Sequence, residues 1–288
     1  MRETATPKDL LKKYGVRPRK RLGQNFLMDI HAIDKIVRIA GITGEDTVVE
    51  IGAGLGVMTA RIAGKAGRVI ALEIDGSMVT ILKEELKDFE NVNILETDVL
   101  RYDFSSSLRQ DGLAFPTGRI KIIGNIPYNI SSPILFHLLD YRTHIDSMVL
   151  MLQKEVADRI SASPGTKAYG TLSVILSMYF ETSREFSVPA GCFYPSPRVD
   201  SAVIRMAVRE NPCISLENGS FFQQVVRAAF GKRRKTLINN LRYSPILTRF
   251  PGGDIAAVLD RLGIDGRRRG ETLTVEEFGR LSNALFFK

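Results

Sequence analysis

Short runs of β-branched and aliphatic residues recur along the first two thirds of the chain, and most are followed by a segment whose apolar positions return every three or four residues. The runs at 47–51, 68–73, 92–95, 119–124 and 147–152 predict strands, and 57–64, 77–88 and 131–140 predict helices, with Ser77 and Ser131 as N-caps. Strand, helix, strand repetition builds a parallel sheet covered on both faces. Near-continuous apolar runs, such as Ile120, Ile122 and Ile123 or residues 148–152, fit strands buried on both sides. The segments 172–180 and 199–208 read as edge strands or a strand pair completing the sheet. After Glu210 the pattern changes. Asn211-Pro212 interrupts it, the stretches 221–230, 235–241, 254–262 and 275–287 have helical spacing, and a domain boundary is expected near residue 210. The expected class is α/β, a doubly wound sheet with a small C-terminal helical domain.

At 288 residues, with 44% apolar and 25% charged residues, the chain suits one large domain and a smaller one, and disorder and collagen are excluded. The longest nearly apolar stretches, such as 171–180, fall short of the roughly 18 residues a membrane span needs. Residues 1–20 are polar and charged rather than signal-like. A soluble, cytoplasmic protein without a membrane partner is expected. Cys192, Cys213, His31, His137 and His144 show none of the close spacings of a zinc site, so neither a metal nor a disulfide is expected.

The net charge of +8 divides unevenly: residues 1–28 hold eight Lys/Arg against two acids, 205–288 hold fifteen against eight, and 29–204 hold seventeen against twenty-two. A mildly acidic middle between basic ends suggests a body that handles a small ligand and appendages that hold a polyanion such as nucleic acid. Charge alone equally allows 17–21 and 232–235 to be solvated surface.

Candidate chemistry begins at Glu50-Ile51-Gly52-Ala53-Gly54-Leu55-Gly56, which ends the first predicted strand and opens a helix. Glycines there allow a sharp turn and the approach of a ligand to the backbone at the carboxyl edge of the sheet. A dinucleotide fingerprint would place its third glycine at position 57, which is Val57. The G-x-G-x-G spacing, with an acid two residues upstream, resembles motif I of class I S-adenosylmethionine-dependent methyltransferases. Glu73 follows Gly52 by 21 residues at the end of the next strand, where a carboxylate can accept ribose hydroxyls. Asp98 follows the third strand, where it could accept a bond from an adenine amino group.

After the fourth strand comes Gly124-Asn125-Ile126-Pro127-Tyr128-Asn129-Ile130-Ser131. An Asn-Ile-Pro-Tyr sequence there resembles motif IV of methyltransferases that modify exocyclic amino groups of bases. Such a nitrogen is a poor nucleophile because its lone pair is delocalised into the ring. The Asn125 side-chain oxygen and the Ile126 backbone carbonyl could accept its two hydrogens and orient the lone pair, with Pro127 stiffening the turn and Tyr128 stacking on the extruded base.

The resemblance then extends over residues 17–285. Lys20-Arg21-Leu22-Gly23-Gln24-Asn25-Phe26-Leu27, Leu152-Gln153-Lys154-Glu155-Val156, Lys167-Ala168-Tyr169-Gly170, Phe193-Tyr194-Pro195-Ser196-Pro197-Arg198-Val199-Asp200-Ser201 and Phe230-Gly231-Lys232-Arg233-Arg234-Lys235-Thr236 are similar to segments of the bacterial KsgA-type family. These are small-subunit ribosomal RNA adenine N6,N6-dimethyltransferases. The resemblance implies a Rossmann-like class I fold, S-adenosyl-L-methionine as cofactor, 16S rRNA of the small ribosomal subunit as partner, and a monomer. It implies that Asn25 and Leu27 close over the cofactor, that Gly52 and Gly54 flank its methionine portion, and that Glu73 meets its ribose, Asp98 its adenine and Asn125 both cofactor and target. Phe193 corresponds to a second aromatic that sandwiches the base with Tyr128; without the family pattern it reads as a core phenylalanine.

The basic ends then acquire a role as phosphate contacts, through Arg19, Lys20 and Arg21 and through Lys232, Arg233, Arg234 and Lys235, the latter expected to start a helix. The implied organisation is a basic segment at 1–28, a cofactor-binding catalytic domain at 29–209 and a helical RNA-binding domain at 210–288. A large-subunit rRNA adenine methyltransferase and a ribosome-assembly factor without turnover are the competing readings.

Overall fold

The computed structural model describes residues 6–108, 118–244 and 255–286. Asp254 and Phe287, at the ends of two expected helices, and the first five residues of the basic segment lie outside the described residues. The chain forms two compact units, Met1–Ala157 with Ser183–Val208 and Asp158–Thr182 with Arg209–Lys288. The second unit also takes in residues 158–182, which precede the boundary expected near 210. The N-terminal segment is part of the first unit because Leu10, Phe26 and Leu27 are buried in its core.

The first unit runs through α1 (Pro7–Lys13), β1 (Phe26–Leu27), α2 (Ile30–Ile39), β2 (Thr47–Ile51), α3 (Val57–Ala63), β3 (Arg68–Glu73), α4 (Gly76–Glu85), β4 (Val92–Glu96), β5 (Ile120–Asn125), α5 (Ser131–Asp140) and β6 (Ile145–Gln153). After α6 (Lys154–Ile160) and α7 (Thr171–Tyr179) come β7 (Phe180–Val188), β8 (Phe193–Tyr194) and β9 (Ser201–Val208). The main sheet has the order β4-β3-β2-β5-β6-β9-β7. Strands β4 through β6 are mutually parallel, and β9 runs antiparallel to β6. All five residues of β2 are buried, as a central strand covered on both faces requires. Ile33, Ile36 and Val37 of α2 join Val48, Val69, Ile123 and Val203 in one buried cluster.

Successive strands step from β2 to β4 on one side and resume with β5 on the other. The crevice between the carboxyl ends of β2 and β5 is therefore the topological switch point, where open α/β sheets bind ligands.

Several local expectations are corrected. The N-cap of α4 is Asp75, which accepts the Ser77 N–H at 3.0 Å, because a carboxylate preceding the first turn reaches the orphan amides that Ser77, already helical, does not. Ile130 precedes α5 with no side-chain cap, while the Ser131 hydroxyl donates to the carbonyls of Pro127 and Tyr128 at 3.2 Å. The segment expected as a strand at 172–180 is instead α7. Its residues are apolar nearly all round and packed among other helices, so the run has no period that separates buried helix from buried strand. The strand near it is β7, whose mostly polar middle suits a sheet edge.

The second unit comprises α7 with α8 (Gly219–Ala229), α9 (Leu237–Arg242), α10 (Ile255–Arg261) and α11 (Val275–Phe286). Its core includes Phe222 and Phe278, both fully buried, and Phe230 stacks on Phe278 with ring centroids 5.8 Å apart. The Tyr169 hydroxyl donates to the Leu273 carbonyl at 2.9 Å, fixing the 158–182 segment within this unit. Among the described residues no helix is long and apolar enough to cross a membrane.

Candidate active site

An open cleft of about 780 Å³, counting solvent in its mouth, lies at the switch point of the first unit. Its walls come from the N-terminal strap at 22–26, the turn after β2, the ends of β3 and β4 and the turn after β5. The turn after β2 needs its glycines. Gly52 has φ +73°, and a Cβ on Gly54, at φ +56°, would stand 3.3 Å from the Phe26 ring.

Glu73 lies at the end of β3, only 7% exposed, and is fixed by three backbone amides: Gly54 N–H donates to Oε2, and Ile74 and Asp75 N–H both donate to Oε1, each at 2.9 Å. Burial pushes its carboxyl above the usual range, and the three amides oppose that shift without cancelling it. Three bonds leave acceptor capacity on Oε2 for a further donor. Asp98 lines the same cleft with Oδ1 accepting the Leu100 N–H at 3.0 Å.

Asn125 ends β5 with its amide orientation set: Nδ2 donates to the Asn25 backbone carbonyl at 2.9 Å, which leaves Oδ1 as an acceptor. The Ile126 N–H is held by the Met151 carbonyl at 3.0 Å, fixing the peptide that leads into the Pro127 turn. The Tyr128 hydroxyl is bonded to the buried Ser201 hydroxyl, and burial raises its pKa. A phenol anchored at its tip keeps its ring fixed beside the cleft.

Asn25, Gly52, Gly54, Glu73, Asp98, Asn125, Ile126 and Tyr128 thus share one cleft. Leu27 and Phe193 do not line it. They pair across the β1–β8 ribbon and are buried at 6% and 4% exposure, while Tyr194 is half exposed. The alternation of a strand accounts for this, since neighbouring residues point to opposite faces. Three features escaped the sequence reading: Ile74, half exposed in the cleft wall; Gln24, also lining it; and the buried Asp75. Ile74 and Asp75 directly follow the acid that the sequence picks out, but the exposure of the one and the burial of the other show only in the fold.

The cations behave differently from one another. Arg19 pairs with Asp75, Nη1 to Oδ1 at 2.8 Å, whereas Lys20 and Arg21 are exposed without an ion pair among the described residues. In the second unit, residues 232–235 form the turn before α9 rather than its start, because Asn240 clamps the turn: its Nδ2 donates to the carbonyls of Ala229 and Lys232, and its Oδ1 accepts the Lys232 N–H. Arg233 is tied to Glu271 at 3.2 Å and to the Lys167 carbonyl at 2.8 Å, leaving Lys232, Arg234 and Lys235 exposed.

A sheet of this order, with a glycine turn, an acid after the second parallel strand and Asn-Ile-Pro-Tyr after the fourth, defines a class I methyltransferase. The family model described as "Ribosomal RNA adenine dimethylase" matches residues 15–286, and the chain belongs to that family. It is 46% identical over 280 residues to "Ribosomal RNA small subunit methyltransferase A" of Syntrophus aciditrophicus, covering 97% of this chain and 98% of the relative. The Geobacillus thermodenitrificans protein of the same name is 44% identical, with 99% and 97% covered. Among solved structures, a dimethyladenosine transferase from Plasmodium falciparum is similar with a TM-score of 0.76 at 26% identity, covering 89% of this chain and 95% of that one. The 23S rRNA methyltransferase ErmE gives a TM-score of 0.67 at 26% identity, covering 91% and 99%.

Proposed function

We propose that this enzyme methylates the N6 amino groups of adenosines in 16S rRNA of the small ribosomal subunit, using S-adenosyl-L-methionine and giving N6,N6-dimethyladenosine as the subunit assembles in the cytoplasm. The observation that carries the reading is the fixed amide of Asn125, whose Nδ2 donates to the Asn25 carbonyl and whose oxygen is kept as an acceptor.

The residues present fit the cofactor. Glycines at positive φ let a methionine tail lie against the backbone, Glu73 has acceptor capacity for a ribose hydroxyl, Ile74 and Val99 give apolar walls, and Asp98 keeps one oxygen for an amino group. When bound, S-adenosyl-L-methionine supplies a methyl group made electrophilic by its sulfonium. The Asn125 oxygen and Ile126 carbonyl accept the two hydrogens of the target amine, which pyramidalises the nitrogen and directs its lone pair. With the cofactor held there, its methyl carbon would pass to this nitrogen as the carbon–sulfur bond breaks, and the cofactor would leave as a neutral thioether. The amine proton, acidic once the nitrogen is cationic, passes to solvent, so no general base is needed before attack. Tyr128 stacks on the base, and Phe193 is retained as the second aromatic despite its buried position. Lys20, Arg21, Lys232, Arg234 and Lys235 hold RNA phosphates.

The full-length relatives at 43% to 46% identity that carry the small-subunit name support that target over the large subunit. The test is transfer of labelled methyl to isolated ribosomal subunits from cells lacking these modifications: label should enter small-subunit RNA, and label entering only large-subunit RNA would reassign the substrate.

A further inference from the structure

Asp75 does more in this structure than cap a helix. It is 2% exposed and accepts at both oxygens: Oδ1 takes the Ser77 N–H at 3.0 Å and the Arg19 guanidinium at 2.8 Å, and Oδ2 takes Gln24 Nε2 at 2.8 Å. The grip is closed from the strap side as well. Gln24 Oε1 accepts the Arg19 N–H at 2.8 Å, and Arg19 Nη2 donates to the Ser77 hydroxyl at 2.9 Å. Asp75 in turn donates its own N–H to Glu73 Oε1, and the residue after Gln24 presents the carbonyl that orients Asn125.

We propose that Asp75 is a positioning residue for methyl transfer: by clasping Arg19 and Gln24 it fixes the strap so that the Asn25 carbonyl holds the Asn125 amide with its oxygen toward the target. The clasp rests on the reading given above, in which Asn125 orients the amine. A buried carboxylate is costly unless paired, and here its charge is matched by a residue whose only other assigned role was to hold phosphate. On this proposal Arg19 braces the strap behind the cleft wall, through Asp75 and Gln24, rather than serving the RNA surface. Both ends of the clasp abut groups that line the cleft, so its loss disturbs catalysis and cofactor binding together.

The decisive variant is Asp75→Asn. Asparagine caps a helix about as well as aspartate, so the start of α4 survives. The oxygen of the new amide stays with Ser77, and its NH2 group then meets Gln24 Nε2, donor against donor, with no charge left for Arg19. On purified enzyme with small subunits as substrate, kcat should fall about tenfold or more and cofactor affinity by a smaller factor, as losing a hydrogen bond to a charged group entails. Adding Gln24→Glu gives that amide an acceptor and restores charge beside Arg19, so the double variant should recover much of the lost kcat. A residue that only caps the helix would show neither the loss nor the rescue.

Arg19→Gln, at an exposed position, keeps the question open to measurement if Asp75→Asn fails to fold. The clasp predicts a lowered kcat and cofactor affinity with an unchanged slope of log RNA affinity against log salt. A slope reduced by about one with cofactor affinity intact would make Arg19 a phosphate contact and overturn the proposal. Wild-type kcat in both single variants would overturn it as well. Wild-type enzyme that transfers no methyl to any ribosomal RNA would instead remove the functional reading on which the clasp rests.

Discussion

The cleft of the first unit and the basic turn of the second present opposite uses of polar groups. In the cleft the assigned polar side chains are committed to protein partners: Glu73 to three amides, Asp98 to Leu100, Asn125 to the Asn25 carbonyl and Tyr128 to the Ser201 hydroxyl. In the turn the scaffold is fixed by Asn240 and Arg233, and the neighbouring cations are left in solvent. Chemistry at a nitrogen demands a geometry held before the substrate arrives. A polyphosphate chain demands charge within reach and tolerates movement. The same contrast ranks the perturbations, with large effects expected where geometry is committed and small ones where only charge is.

The contrast breaks most visibly at Asn125. Asn125→Ala should lower kcat by about a thousandfold, on the scale of removing one oriented group that acts on the reacting centre, while binding to small subunits persists. A pelleting assay run beside the methylation assay checks both, and turnover near normal would remove the residue from the mechanism. Glu73→Ala comes next. It should weaken cofactor binding by on the order of 1.5 to 3 kcal/mol with RNA binding unchanged, read by calorimetry on the folded variant.

Phe193 sharpens the comparison because the family resemblance assigns it to the cleft and the fold places it in the core. Phe193→Leu should cost about 1 kcal/mol of stability from lost packing, and turnover should fall further, by the roughly 1 to 3 kcal/mol of a stacked base. Full turnover per folded molecule would leave it a core residue.

Glu50 offers a pH test of how the cleft is built. It lies in the middle of the sheet, 1% exposed, and burial pushes its carboxyl up to about 8, tempered by Thr59 and raised by the charge of Glu73. Below the ordinary carboxyl range both folded and unfolded chains hold the proton. Above that range the unfolded chain releases it and the folded one keeps it, so stability falls as pH rises and levels off once the folded carboxyl ionises. The loss between pH 5 and 8 should be on the order of 1 to 3 kcal/mol, seen as a falling Tm, and Glu50→Gln should flatten that slope. An unchanged slope would assign the dependence elsewhere.

The smallest expected effect is in the basic turn. Replacing Arg234 and Lys235 with Gln should reduce the slope of log RNA affinity against log salt by up to about one per contact and leave cofactor binding alone. Arg233→Gln, by contrast, should loosen the turn through loss of its bonds to Glu271 and Lys167. Equal salt slopes for wild type and the double variant would make the run plain solvated surface.

What was legible follows the same line. The strands from β2 to β6 and the residues at their carboxyl ends could be read because a buried parallel strand is a short apolar run, and the turns after it are locally specified. The nine residues of α7 could not, since a segment apolar nearly all round carries no clear period, and its burial among helices is decided by distant sequence. Asp75 and Asn240 were missed for a related reason. Each is an ordinary polar residue whose importance comes from partners that spacing does not announce, Arg19 and Gln24 more than fifty residues away for one and the Ala229 and Lys232 backbone for the other. The Arg19–Asp75 pair was not legible because charge shows in a sequence and its counter-charge, 56 residues away, does not.

The central claim is that this cleft places two methyl groups on one exocyclic nitrogen of adenosine. Its most direct test is mass spectrometry of nucleosides digested from small subunits lacking these modifications, after incubation with the enzyme and isotopically labelled S-adenosyl-L-methionine. Adenosine carrying two labelled methyl groups on N6 is the predicted product. Label confined to singly methylated adenosine, to other bases or to ribose would contradict the account.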